Sequence, residues 1–384
     1  MLPDSSMLKT LTVFFLACWL CACGKSEYES ALAAYNAGDF ATAYARLLPL
    51  AEAGDAMAQN NLGLLYKKGQ GVPLDATEAV KWFSKAANQR LADAQVNLGN
   101  MYRYGHGVPT DYEEAAEWYL KAARQGSAAA QVRLARLYVK GLGVQRDYWE
   151  AMKWSRKAAV QGNAEAQTNI GDMFLEGFGV PQDYAEAYKW YLRAAEQGWV
   201  GSQHNIGVMY QKGMGVTRDY GKAMQWYLKA AVQGYAPAQS NIGNMYLEGL
   251  GVRQDYAEAL NWSLKAAEQG DAVAQYTLAT IYQKGLGIPA DHKEALKWYQ
   301  KAAEQGHAMA QYGLGSMYHF GQATAQDDIT AYAWLGIAAA GGFTPAQDSR
   351  DAIESQLSPE DLERARALAR ELWDKYGNKE SGGG

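Results

Sequence analysis

The sequence predicts an all-α solenoid, a fold in which short helical repeats stack in one direction. A tryptophan recurs every 36 residues, at Trp82, Trp118, Trp154, Trp190, Trp226, Trp262, Trp298 and Trp334. Glutamines from Gln59 to Gln347 and aspartates from Asp75 to Asp327 keep the same period without an insertion. Each such repeat has an apolar face that only its neighbours can cover, so we expect one elongated body rather than separate globular domains.

Each repeat is predicted to form two helices, A and B. In the repeat of residues 163–198, apolar or small residues recur with helical spacing in both halves. Helix A is expected to begin after the polar cap Asn163 and to end at Gly177, since glycine adopts a left-handed conformation at little cost. Helix B is expected to begin at Asp183, with Glu186 completing a pair that resembles a capping box. The tryptophan is expected to fill the space between repeats.

The flanking segments are also consistent with a solenoid. We expect a degenerate first repeat or cap at 23–54, eight full repeats at 55–342 and capping helices at 343–376. The last helix should begin at Ser358 and Pro359, a cap followed by a first-turn proline, and reach about Tyr376. Residues 377–384 are expected to form a disordered tail.

The first 22 residues have the character of a signal peptide. Lys9 precedes an uncharged stretch from Thr10 to Leu20 that is too short for a membrane-spanning helix. The run from Leu20 to Gly24 resembles the lipobox of bacterial lipoproteins, which implies cleavage before Cys23 and its lipidation. An ordinary signal peptide with incidental cysteines is the alternative. Gly24 is not the aspartate that commonly retains such proteins in the inner membrane. The lipoprotein hypothesis therefore favours the periplasmic face of the outer membrane, and the cell surface or secretion are the alternatives.

The composition and motifs give no support for catalysis. The net charge of −5 argues against nucleic acid as a partner. The repeated G-x-G loops lack the strand and third glycine of a dinucleotide site and the G-K-[ST] of a P-loop. The five histidines occupy different repeat positions, and we find no metal cluster, nucleophile or acid and base pair. We therefore expect a monomeric, non-enzymatic protein with no cofactor.

The repeat closely resembles the Sel-one-like repeat (SLR), a relative of the tetratricopeptide repeat. The matching string is A-x-A-Q-x-x-L-G-x-M-Y-x-x-G-x-G-V-x-x-D-Y-x-E-A-x-x-W-Y-x-K-A-A-x-Q-G, which is almost intact over residues 236–270. The resemblance implies a right-handed α-solenoid superhelix whose concave groove is lined by helix A. It also implies that the third, sixth, seventh, tenth and thirteenth residues of each repeat face a protein or peptide partner.

Two sets of helix A residues stand out as candidate partner-binding sites. The first is a row of amides at the seventh position, Asn61, Asn97, Asn169, Asn205 and Asn241, joined at the tenth position by Asn100 and Asn244. These amides could bind the backbone of an extended peptide, or they could instead bond adjacent repeats together. Arg103, Arg133 and Arg136 lie beside Asn97 and Asn100 in the pattern, and they could form a clamp for an acidic or C-terminal carboxylate. Solvated arginines on a groove wall are the alternative.

The second set lies in the middle of the chain. Trp199 and Tyr235 replace the small polar residue that usually begins helix A, and His204 is nearby. Exposed aromatic side chains are favoured as interface anchors, although these residues could equally fill a local packing gap.

The functional expectation is an adaptor of the bacterial cell envelope that binds a protein or peptide and touches the membrane only through its N-terminal lipid. One alternative is a surface-exposed or secreted factor that binds a host protein. Another is a non-catalytic subunit of an envelope polysaccharide assembly complex.

Overall fold

A computed structural model describes residues 27–377 of the chain, and all regular secondary structure within that range is helical. The predicted all-α fold is therefore confirmed. The chain divides after Asp183 into two compact units, which we call the N-terminal unit and the C-terminal unit. The predicted signal peptide, Cys23 and nearly all of the predicted disordered tail lie outside the described residues.

The N-terminal unit contains nine helices within its described residues. They are α1 27–36, α2 Phe40–Glu52, α3 Ala56–Lys68, α4 Ala76–Asn88, α5 Ala92–Tyr104, α6 Tyr112–Arg124, α7 Ala128–Lys140, α8 Tyr148–Val160 and α9 Ala164–Glu176. Helices α3, α5, α7 and α9 are helices A, and α4, α6 and α8 are helices B. Each helix B packs against the helix A before it and the helix A after it.

The C-terminal unit contains eleven helices within its described residues. They are α10 Tyr184–Glu196, α11 Val200–Lys212, α12 Tyr220–Ala231, α13 Ala236–Glu248, α14 Tyr256–Glu268, α15 Ala272–Lys284, α16 His292–Ala303, α17 Ala308–His319, α18 Asp328–Ala340, α19 Thr344–Glu354 and α20 Pro359–Tyr376. The same alternation of helices A and B continues to α18. The final helix α20 packs on α18, and its N-cap is Ser358 as predicted, with the Ser358 Oγ accepting from the Asp361 amide.

The predicted helix ends are confirmed by their hydrogen bonds. Asn163 Oδ1 accepts from the Ala166 amide at 2.8 Å, and α9 ends at Gly177 with φ of +76°. Asp111 Oδ1 accepts from the amides of Glu113 and Glu114 at 3.0 Å, so the aspartate caps helix B. Side-chain caps satisfy the amides that the first turn of a helix leaves free.

The glutamate three residues after the capping aspartate does not complete the predicted capping box. The backbone amide of Asp111 donates to the Tyr102 carbonyl at 2.9 Å, so the glutamate three residues later has no free amide to accept from there. Glu114 Oε2 instead accepts from the indole Nε1 of Trp118 at 3.1 Å. The same bond joins Glu150 to Trp154. In these two repeats the glutamate therefore fixes the tryptophan.

The recurrent tryptophan packs against neighbouring repeats, but it is not the deepest aromatic residue. Trp118 contacts the core formed by α4 and α5 and stays half-buried, and Lys121 Nζ lies 3.8 Å from its ring centroid. The residue after it, Tyr119, is fully buried. A Cβ atom on Gly99 of helix A would lie 2.6 Å from the Tyr119 ring, which explains the glycine at that position. The tyrosine thus fills the core, and the tryptophan covers its edge.

A ladder of buried glutamines joins successive helices B. Gln95 Nε2 donates to the Ala87 carbonyl at 3.1 Å, and Gln95 Oε1 accepts from Gln125 Nε2 at 2.7 Å. Ala87 lies near the end of α4 and Gln125 caps the end of α6. The same pair of bonds is made at Gln59, Gln131, Gln203, Gln239 and Gln275. Each buried amide is therefore satisfied while it connects two repeats.

Candidate functional site

Within each unit, we define the helix A wall as the surface formed by the third, sixth, seventh, tenth and thirteenth residues of its helices A. Positions are counted from Asp55, Leu91 and each later helix A N-cap residue. The packing residues are nearly the same in every repeat, whereas the wall residues vary. The structure places all thirteen predicted partner-binding residues on helices A or at their N-caps.

Part of the amide row bonds neighbouring repeats together. Asn97 Nδ2 donates to Asn60 Oδ1 at 2.9 Å. At the same repeat position in the C-terminal unit, Asn241 Nδ2 lies 2.9 Å from His204 Nε2. Asn61 Nδ2 donates to the Tyr28 hydroxyl at 2.8 Å. These contacts favour the packing explanation of the row, while peptide binding by the same amides stays a prediction.

The amide row differs at Asn169 and Asn205. The Nδ2 atom of Asn169 is buried and has no hydrogen-bond partner among residues 27–377. The residue at the sixth position of the preceding repeat is Val132, which offers no side-chain acceptor. Asn205 Oδ1 lies 3.4 Å from His204 Nδ1, its sequence neighbour. The row is therefore not a uniform ladder.

The tenth-position amides connect each repeat to the next. Asn100 Oδ1 accepts from Arg133 Nε at 3.0 Å and from the Tyr119 hydroxyl at 2.8 Å. Asn244 Oδ1 accepts from Thr277 Oγ1 at 2.8 Å. Asn100 consequently orients the guanidinium of Arg133, which also donates from NH1 to the Ala129 carbonyl.

Three cations of the N-terminal wall form what we call the basic cluster: Lys67, Arg103 and Arg133. The pKa of Lys67 is lowered by burial and by the positive charges of Lys68 and Arg133. Burial raises the pKa of Tyr119 to about 12, and Arg133 and Arg103 act in the opposite direction. Among the described residues, the charges present at neutral pH that act on Lys67 and Tyr119 are all positive.

The other predicted clamp residue, Arg136, is not free. Its NH1 forms an ion pair with Glu165 Oε1 at 2.8 Å. Its charge is compensated, so we do not include it in the basic cluster. Lys67 was missed by the sequence prediction, although it occupies the same thirteenth position as Arg103. That shared position was the signal that could have identified it.

The predicted aromatic set of the C-terminal unit is only partly brought together. The ring of His204 lies 5.5 Å from Tyr235 and 5.6 Å from the buried Tyr227. Trp199 is 40% exposed and lies against Gly201 of its own helix. His204 and Tyr235 therefore form a contact, while Trp199 makes no ring contact with either of them in the described part of the chain.

The contact between His204 and Tyr235 belongs to a series along the C-terminal wall. Tyr276 stacks on His307 at 4.9 Å between ring centroids, and Tyr312 meets Phe343 at 5.4 Å. Each pair joins a sixth-position residue to the first residue of the next repeat. We call these six residues the aromatic row. Burial lowers the pKa of His204 and His307, which favours their neutral form.

No group of three His, Cys, Asp or Glu side chains within residues 27–377 is placed to hold a metal ion. No helix among the same residues is long and apolar enough to cross a membrane. The features that vary from repeat to repeat are polar, basic or aromatic surfaces.

Stacked helical hairpins with a variable wall define a helical-repeat protein. The family model of the Sel1 repeat matches eight consecutive segments, at 56–91, 92–127, 128–163, 164–199, 200–235, 236–271, 272–307 and 308–343. The chain therefore belongs to the Sel1 repeat family, whose members are generally non-catalytic scaffolds for protein–protein interaction.

Solved structures of this family resemble the chain. One is c5321, a protective antigen present in uropathogenic Escherichia coli strains, with 32% identity, a TM-score of 0.56, and coverage of 92% of this chain and 85% of that one. Another is a Sel1 repeat protein from Oxalobacter formigenes, with 34% identity, a TM-score of 0.59, and coverage of 80% of this chain and 89% of that one. No match was found among the curated proteins.

Proposed function

We propose that the chain is a non-enzymatic adaptor of the bacterial cell envelope that binds an acidic peptide segment or a C-terminal carboxylate at the basic cluster. The observation that carries the proposal is the presence of three cations, Lys67, Arg103 and Arg133, on one wall, where Arg133 acts on both Lys67 and Tyr119. Hydrogen bonds between a guanidinium and a carboxylate are stronger than neutral ones and are often bidentate. A peptide with acidic side chains or a free C-terminus supplies that carboxylate.

The surroundings of the cluster support binding rather than simple solvation. Asn100 holds Arg133 Nε at 3.0 Å, which limits the orientations of the guanidinium before a ligand arrives. Such preorganisation reduces the entropy lost on binding. Asn97 keeps its carbonyl oxygen for a peptide amide while its Nδ2 bonds to Asn60.

The location in the envelope is also a proposal. It rests on the predicted signal peptide and the predicted lipidation of Cys23, which favour the periplasmic face of the outer membrane. In this proposal the N-terminal lipid attaches the chain to the membrane.

Peptide binding by the chain tests the proposal. A fluorescent decapeptide rich in glutamate and ending in a free carboxylate should bind, and an equivalent peptide rich in lysine and ending in an amide should not. The variant Arg103→Gln/Arg133→Gln should weaken binding about ten-fold or more, because each charge-assisted hydrogen bond contributes about 1.5–3 kcal/mol. Affinity should also fall as salt concentration rises.

The matched control removes a compensated pair from the same unit. Arg136→Gln/Glu165→Gln deletes an ion pair of 2.8 Å without changing the net charge, so it should leave binding nearly unchanged. Equal binding by the wild-type chain and the Arg103→Gln/Arg133→Gln variant would show that the basic cluster is not the site.

A second candidate function is a surface-exposed or secreted factor that binds a host protein. It is favoured by the similarity to the protective antigen of uropathogenic Escherichia coli. Protease treatment of intact cells distinguishes the candidates, since digestion of the chain would support surface exposure and protection would support the periplasmic adaptor.

A further inference from the structure

A cavity of about 410 Å³ lies in the N-terminal unit, away from the residues of the basic cluster. Its lining includes residues at the ends of α4 and α6: Asn88, Arg90, Trp118, Lys121 and Arg124. The volume lies within the range of small-ligand sites. Three cations and no acidic residue line it.

Arg90 has an unusual backbone conformation. Its φ is +68°, in the left-handed region that non-glycine residues avoid. The equivalent residue is a positive-φ glycine in every other repeat, at Gly54, Gly126, Gly162, Gly198, Gly234, Gly270, Gly306 and Gly342. Backbone strain of this kind persists at functional sites, so the replacement of glycine by arginine calls for a role of the side chain.

The charges around the cavity are incompletely paired. Within residues 27–377, Arg90 and Arg124 have neither a hydrogen bond from the guanidinium nor an ion pair. Lys121 Nζ lies 3.8 Å from the Trp118 ring centroid and 3.7 Å from Glu117, which is itself exposed. A ligand that carries more than one negative charge would meet three cations here.

The C-terminal unit contains a counterpart that lacks this charge. One hundred and eighty residues later, Trp298 and Lys301 repeat the stacked pair of Trp118 and Lys121, with Nζ 4.0 Å from the ring centroid. The positions of Asn88, Arg90 and Arg124 are occupied there by Glu268, Gly270 and Glu304. The basic character is therefore a property of this one repeat and not of the scaffold.

We infer that the cavity binds a phosphate group carried by a small molecule or a lipid headgroup. A phosphomonoester has a charge of about −1.5 to −2 at pH 7 and three acceptor oxygens, which suit a cavity lined by three cations. Arginine is favoured for such recognition because its planar group forms paired hydrogen bonds with phosphate. The half-buried Trp118 supplies an apolar side for the group that bears the phosphate.

Calorimetric titration of the chain with inorganic phosphate and with glycerol 3-phosphate tests the inference. Arg90→Gly should weaken binding about ten-fold or more and at the same time raise Tm, because glycine relieves the left-handed strain. Arg124→Gln should weaken binding without raising Tm. The matched control Lys301→Gln, in the counterpart that lacks Arg90 and Arg124, should leave the affinity unchanged.

Vesicles of phosphatidylcholine with and without phosphatidic acid separate the two sources of phosphate. Binding to phosphatidic acid vesicles that is lost in Arg90→Gly would identify a lipid headgroup, whereas tight binding of glycerol 3-phosphate alone would identify a soluble ligand. If neither phosphate probe nor these vesicles bind, or if Arg90→Gly binds as tightly as the wild-type chain, the inference is wrong.

Discussion

The two units have the same interior but different helix A walls. In both units a fully buried tyrosine, Tyr119 or Tyr227, fills the space beside a helix A glycine. The N-terminal wall carries the basic cluster and its amides, whereas the C-terminal wall carries the aromatic row. The two units thus share this packing contact, whereas the residues of their walls differ.

This difference indicates that the two walls suit different contacts. Charged and amide groups bind carboxylates through directional hydrogen bonds. Rings in edge-to-face or stacked contact stabilise each other, so the aromatic row contributes to the packing between repeats as well as to the surface. The following predictions test whether the interior is common to both units and whether the walls are distinct.

The largest expected effect is a common loss of stability. Tyr119→Ala and Tyr227→Ala should each lower the free energy of unfolding by about 3–5 kcal/mol, since each removes a fully buried ring. Urea denaturation combined with hydrogen exchange of each unit would measure the losses. A large loss at one tyrosine and almost none at the other would contradict a shared interior.

The glutamine ladder should also matter equally in both units. Gln95→Met and Gln239→Met preserve side-chain volume but remove the bond to the Ala87 or Ala231 carbonyl and the bond to the partner glutamine. We expect each variant to lose about 1–3 kcal/mol of unfolding free energy. Exposed Gln356→Met, which lies outside the ladder, is the control and should change stability little. Unaltered denaturation of the ladder variants would exclude a structural role.

A gain in stability is expected at one position of the N-terminal unit. Arg90→Gly should raise the free energy of unfolding by up to about 1 kcal/mol, because a strained left-handed residue becomes glycine. The reverse change in another repeat, Gly270→Arg, should destabilise the C-terminal unit. Thermal denaturation of both variants checks the signs, and a loss of stability in Arg90→Gly would overturn the strain argument.

The smallest effect concerns mild acid and should be confined to the C-terminal unit. Burial lowers the folded-state pKa of His204 and His307, while Asp271 partly offsets it. As pH falls, the two histidines bind protons in the unfolded chain before they do so in the folded chain. The free energy of unfolding is therefore unaffected above the unfolded-state pKa of about 6.5 and decreases as pH falls towards the lower folded-state pKa. Hydrogen exchange at pH 7.5 and 5.5 should show this loss, and His204→Gln/His307→Gln should reduce it. An equal loss of protection from hydrogen exchange in the N-terminal unit would contradict this prediction.

Much of the fold follows directly from the sequence, because the caps, the turn glycines and the period are local features. Asn163, Gly177 and Asp183 lie at predicted helix ends. The depth of a side chain is not local, and for that reason Tyr119 rather than Trp118 is the fully buried residue.

The candidate site was less predictable for the same reason. The pairing of Arg136 with Glu165 joins residues 29 positions apart, and only the packing of α7 against its neighbours brings them to 2.8 Å. In the sequence, Lys67 shares the thirteenth repeat position with Arg103, and Arg90 replaces the glycine of the other repeats. Whether either residue belongs to a binding site depends on which other cations lie beside it in the folded chain.

The most direct test of the central claim is to map where an acidic peptide contacts the chain. A glutamate-rich peptide with a free C-terminus and a photoreactive group can be crosslinked to the chain and the product located by mass spectrometry. The account predicts crosslinks on α3, α5 and α7, abolished by Arg103→Gln/Arg133→Gln. Crosslinks concentrated on α11 to α17, or spread evenly over both units, would contradict it.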